Sequence, residues 1–480
     1  MWGVVYDRKE INFSQILQQK YNVECYYKRC IFFGCVMSVS KKLIDFLDKE
    51  IDPLIGDNMK KTRFSKTSRG FLTKIFRNME LARASWIDVS SKSAVKYKKA
   101  KIVYGENYRD LPDFAIKEIE NTLSKESGFH CKFYLFGTRH VDVYMYGKQL
   151  THAFFETAIK RIYLWFYVAF LYAPRECSQH LNCYIYLTDL QKYLPSGHGG
   201  DGSVEPIGIA HANTAFTTAC REHTDINIFR YEEWFKVLIH ESFHCLGLDF
   251  STMDTRAATA EVLKMYHVNS TVNLSETYCE VFAELLNVMF ILFYGVDNID
   301  ADDDNDGMNM MDNLIEKTEQ LINHERMFSL FQCAKVLHYY NITYEELIKG
   351  DNIVVDKFIQ RKNSVGTKSR PDEDLTTEQS PVSNLSRFKE RTNVLSYYII
   401  KTVLLYNIDE FIEWCDKYNE KGGLNFNKKN SLADYCYLIR EHYNKKGYIH
   451  MLNVLNVWNK KRGKKQSAFE LKTMRMSLLE

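Results

Sequence analysis

The chain has 480 residues, 45% of them apolar and 26% charged, an ordinary globular balance that permits a sizeable buried core. Its 63 basic residues nearly cancel 61 acidic ones, and a net charge of +2 leaves no global field to recruit nucleic acid or an anionic membrane. Twelve cysteines without one CxxC pair argue against a disulfide scaffold and against a standard zinc knuckle.

The N-terminal MWGVVYDRKE lacks the basic-then-apolar layout of a signal peptide. Cys25, Cys30 and Cys35 share a five-residue spacing but have no matching CxxC or CxxH. Residues 1–127 are expected to be a mostly helical region, with SKKLIDFLDKEIDPLIG and SRGFLTKIFRNMELARASWI as amphipathic stretches. The basic runs Lys96–Lys101 and Lys460–Lys465 read as solvated faces or tails.

From residue 128 the texture changes. Lys132–Phe136 and Val141–Tyr146 predict a hairpin, a helix follows at about 151–173, and Asn182–Leu187 is another strand. Within that helix the run Ile162–Ala173 is too short to span a bilayer and reads as core. Beyond the glycine-rich PSGHGGDGSVEP come two short strands, Asn213–Thr218 and Asp225–Arg230, and then a helix from about residue 231 through EEWFKVLIHESFHCLG. Ser251 can cap a second helix, and a third runs from Ser275 to near Gly295. Asp302, Asp304, Asp306 and Gly307 match the opening of a calcium loop, but its twelfth position is Asn313, so a solvated acidic loop is expected. Residues 363–391 read as a linker or disordered insertion, and 393–480 as a helical C-terminal region.

The chemistry concentrates in His240-Glu241-Ser242-Phe243-His244. Residues four apart share one helix face, so both imidazoles can reach one ion, while Glu241 can face a water activated by that ion. Chance supplies roughly 0.026 such matches in a chain of this length. The flanks KVLI and CLGL make the helix apolar, and buried histidines need partners. A third ligand must come from elsewhere. Gly247 fits the pattern HExxHxxGxxH, but Phe250 occupies its last position, and Asp249 reads as a turn residue or a supporter of a ligand. The better source is the stripe Glu276, Glu280, Glu284 on a helix that is otherwise apolar; the bland alternative makes Glu276 a capping partner of Asn273.

HESFH followed some thirty residues later by ETYCE resembles the gluzincin class of zinc peptidases. That resemblance implies Zn2+ held by His240, His244 and Glu276, with Glu280 supporting a histidine. In a second register EVFAE is similar to the lethal-factor-type toxins, which would make Glu280 the ligand and Glu284 its supporter. The class also places an edge strand beside the cleft, a role NTAFTT could fill through Asn213 and Ala215. EEWFKVLIHESFHCLGLDFS with ETYCEVFAE is further similar to predicted metallopeptidases of large nucleocytoplasmic DNA viruses, over about residues 205–295.

The expectation is thus an α+β protein with a zincin-like domain at 128–345, a small mixed sheet carrying an active-site helix, flanked by helical regions. One zinc ion would serve hydrolysis of a peptide or protein substrate with Glu241 as base. The alternative is an inactive zincin-fold structural or interaction module, such as a virion-associated one. His267, Tyr266 and Tyr278 are available to stabilise an oxyanion, and spacing does not choose among them. The cysteine usage and lack of a spanning segment suggest a soluble protein of a reducing compartment, host cytoplasm or virion if viral.

Overall fold

The computed structural model describes residues 37–59, 61–92, 95–126, 128–196, 204–296, 310–349, 387–429, 432–462 and 468–480. The spaced cysteines, the acidic loop and most of the 363–391 stretch lie outside them.

The protein is mixed α+β. Two N-terminal helices, α1 (Met37–Phe46) and α2 (Lys66–Ser91), precede strand β1 (Lys96–Ala100), helix α3 (Asp113–Leu123) and the hairpin β2 (Gly128–Leu135) and β3 (Arg139–Gly147). Helix α4 (His152–Phe170) leads to β4 (His180–Leu187), a two-residue β5 (Ile207–Gly208), β6 (Ala215–Thr217) and β7 (His223–Ile228). Then come α5 (Trp234–Cys245), α6 (Arg256–Met265), α7 (Leu274–Val296) and α8 (Met310–Tyr339). After a two-residue β8 (Glu390–Arg391) paired with β5, the chain closes with α9 (Leu395–Tyr406), α10 (Ile408–Tyr418), α11 (Leu432–His442) and α12 (Lys446–Arg462).

Six strands form one sheet in the order β1-β2-β3-β4-β7-β6, so β1 and β6 are its edges. The pairs β3–β4 and β4–β7 are parallel and the others antiparallel. Alternation decides the faces: Val141, Val143, Leu181, Cys183 and Ile226 point into the core beneath the helices. The opposite parity is polar and aromatic, with Tyr144 stacked on Tyr184 and Tyr146 on Tyr186.

Several expectations change here. The basic run at Lys96 does present a solvated face, but as part of the edge strand β1, paired residue for residue with β2; lysines on an edge discourage further pairing. A boundary at 127 and 128 therefore falls between two paired strands. One apolar core runs from Leu43 to Leu479, so α1, α2 and α9 to α12 pack into the same interior as one face of the sheet, while α3 packs with Tyr146, Tyr184 and Phe229 in a smaller core on the other. The supposed linker ends inside ordered structure, where Phe388 is buried and β8 pairs with β5. Ser251 caps no helix: its hydroxyl donates to Asp249, and α6 begins only at Arg256. Cys177 and Cys220 form a disulfide, a pairing that the reading of a reducing compartment did not anticipate.

Helix α7 is long and apolar enough to cross a membrane, yet 89% of that stretch is buried inside the protein. It is the central helix of the core. Carboxylates on such a helix must be met by cations or donors from its neighbours.

Candidate metal centre

Helix α5 buries Val237, Leu238, Ile239 and Phe243, and Trp165 of α4 donates to Ser242 at 3.0 Å, which fixes its rotation. With that side held, His240 and His244 turn toward α7. The helix stops at Gly247, whose φ of +64° is left-handed; its amide donates to the His244 carbonyl and that of Leu248 to Phe243. A Cβ at Gly247 would come within 2.9 Å of the Cys177 sulfur, so this turn requires glycine. The turn brings Asp249 back beneath the helix, and Phe250 goes into an aromatic cluster with Tyr278, Phe426 and Tyr435.

Three ligand atoms meet. Nε2 of His240 lies 3.0 Å from Oε2 of Glu276 and 3.3 Å from Nε2 of His244, which is itself 3.5 Å from the same carboxylate oxygen. Ligands bound tetrahedrally to zinc at about 2.0–2.1 Å stand about 3.3 Å apart, so one ion fits among these atoms without rearrangement of the backbone. The His244 and Glu276 side chains remain 12% and 14% exposed, which leaves the convergence point open on one side.

The other imidazole nitrogens are also engaged. Nδ1 of His240 faces Glu280 at 2.9 Å, and Glu280 in turn accepts from the buried Lys236. Nδ1 of His244 faces Asp249 at 2.6 Å, with the Cys279 sulfur 3.8 Å away. Such carboxylates set tautomer and ring angle so that both Nε2 atoms aim at one point. His244, Asp249 and Cys279 also lie close enough to hold an ion, but this set uses the nitrogen that Asp249 already orients.

Burial opposes charge on His240, yet its bonds to Glu276 and Glu280 raise it to about 9. Burial likewise works against Glu276, but the two imidazoles hold its carboxyl well below the ordinary range. A pocket that stabilises positive charge this strongly suits a cation. Glu241 is half-buried; burial raises its carboxyl, while His240 and His244 pull it down.

The stripe on α7 divides its labour. Glu276 reaches both Nε2 atoms, Glu280 reaches Lys236 and the far side of His240, and Glu284 pairs with Lys401 of α9. The positive charge opposite the stripe is thus supplied in large part by two buried lysines, neither of which spacing could have revealed. The Asn273 side-chain amide donates to Oε1 of Glu276 at 3.4 Å, a contact between side chains that leaves Oε2 for the convergence.

Tyr397 was also missed. Its hydroxyl donates to Oε2 of Glu276 at 2.9 Å, and its ring lies 6.2 Å from that of His240. Tyr266 and Tyr278 are committed elsewhere, to Tyr344 and to Leu424 and Asn419, and His267 is exposed. Ala215 sits in edge strand β6, whereas the Asn213 side chain accepts from Thr392.

Comparison of the chain with family models, with curated proteins and with solved structures returned no match.

Proposed function

We propose that the protein is a zinc-dependent peptidase whose metal is held by His240, His244 and Glu276. The observation that carries this reading is the meeting of two Nε2 atoms and one carboxylate oxygen at 3.0–3.5 Å, with Glu241 on the same helix. Zinc bound there would polarise a scissile carbonyl and acidify a water.

The chain's own groups would do the rest. Glu241, next to the first histidine and electrostatically coupled to both, takes the proton of the attacking water and returns it to the departing amine. Glu280 and Asp249 keep the imidazoles oriented. Tyr397 touches Glu276 through its hydroxyl, so it is the candidate donor to a developing oxyanion, on exchanging that bond for one to the substrate. Edge strand β6 gives an extended substrate a backbone to pair with. The zincin-like character of the fold is part of this proposal, as is Zn2+ itself.

The test combines metal analysis with cleavage of a broad unstructured peptide library. Glu241→Gln is expected to keep its zinc and to lose about 10²–10⁴-fold in rate. If zinc-loaded wild type leaves every peptide intact, the peptidase reading fails and a non-catalytic zinc module takes its place.

A further inference from the structure

On the polar face of the sheet lies a second gathering of imidazoles. Strand register sets Tyr134 of β2 opposite His140 of β3, His140 opposite His180 of β4, and His180 opposite His223 of β7. The row is continuous in space. Ring centroids are 4.9 Å apart for Tyr134 and His140, 5.3 Å for His140 and His180, and 4.5 Å for His180 and His223. Nδ1 of His140 faces Nδ1 of His180 at 3.1 Å.

Two details distinguish this row from a chance surface cluster. First, Nε2 of His140 lies 2.9 Å from Asp142, whose other oxygen lies 2.6 Å from His130. The carboxylate fixes the His140 ring, and the other nitrogen of that ring faces His180, so an imidazole of the row is itself held in place. Second, the strand entries are tied together. The amides of Ser178 and His180 donate to the carbonyls of Arg221 and Glu222, and the Cys177–Cys220 disulfide closes the same junction. The backbone under His180, Glu222 and His223 is thereby fixed while their side chains stay exposed, with ligand atoms within 4.8 Å of one another.

We propose that His180, His223 and Glu222 form a second site, for a divalent transition-metal ion, with His140 held against His180 beside it. Two imidazoles and one carboxylate are a zinc-type donor set, and an imidazole-rich site disfavours calcium and magnesium. The site is independent of the peptidase reading, since it shares no side chain with the first.

Equilibrium titration with Zn2+ alone, against a competing chromophoric chelator, tests it. The full chain is expected to bind one more equivalent than the double variant His180→Asn, His223→Asn, whatever the occupancy at His240 and His244. Glu222→Gln alters only an exposed turn and is expected to keep that equivalent with at least about tenfold weaker binding. Equal stoichiometry and equal affinity in wild type and both variants overturn the proposal.

Discussion

The protein gathers histidines in two places by opposite means. On α5 the pair is local: one helical turn separates His240 from His244, and the surroundings are buried and dense in ion pairs. On the sheet the row is non-local, assembled by the register of β3, β4 and β7, with water as its neighbour. The contrast teaches that a buried site depends on a wide circle of compensating charges, whereas an exposed one depends on its ligands and on the backbone that carries them. Mutations should therefore propagate differently in the two.

The largest expected effect is on the buried side and far from any ligand. Burial already raises the Glu284 carboxyl to about 8, and Lys401→Met leaves it buried beside Glu280 and Glu325 without the cation it touches; breaking such a pair costs about 3–5 kcal/mol in denaturant unfolding. The double variant Lys401→Met, Glu284→Leu is expected to recover much of that loss; no recovery would show that the pair is not the unit argued for here.

Acid is a second lever. Burial opposes the charge on Glu233, but Lys192, Lys236 and Arg475 hold its pKa at about 2 against an ordinary 4.5. The folded value lies below the unfolded one, so the stabilisation is complete above about pH 4.5 and drains away as pH falls toward 2. Its size is roughly 3 kcal/mol. Glu233→Gln should flatten that part of the curve of stability against pH, and an unchanged acid limb would contradict the assignment.

Smaller still is the effect of Asp249→Asn, which keeps the shape beside His244 but removes the charge; zinc affinity at the buried site should fall about 10–100-fold. At the low end, His180→Asn with His223→Asn should shift stability by no more than about 0.5 kcal/mol, because both side chains are exposed. A large loss there would erase the distinction between the two places.

What could be read in advance follows the same division. The strands from the hairpin to β7 and the helices α4, α5 and α7 were legible because their periodicity is local. So was the stripe of Glu276, Glu280 and Glu284. Its partners were not: Lys236 is one residue in an apolar run, and Lys401 lies more than a hundred residues beyond the glutamate it meets. Tyr397 carries no signal of its own, since SYYII reads simply as core. The edge strand β1 was hidden by its lysines, whose alternation with small or aromatic residues is too short to mark a strand. The row of His140, His180 and His223 depends on parallel pairing, which no local pattern encodes.

The stretch from Met474 to Leu479 is threaded through the interior, and buried acids receive its amides: Glu233 those of Met476 and Ser477, Glu325 those of Leu478 and Leu479. During synthesis the HESFH helix and both acids leave the ribosome well before those amides exist. A nascent chain therefore carries every residue of the candidate metal centre on an unfinished scaffold, whose packing around the two acids waits for these residues. A shortened product that retains every ligand but stops at residue 470 should accordingly emerge as a destabilised, protease-sensitive chain.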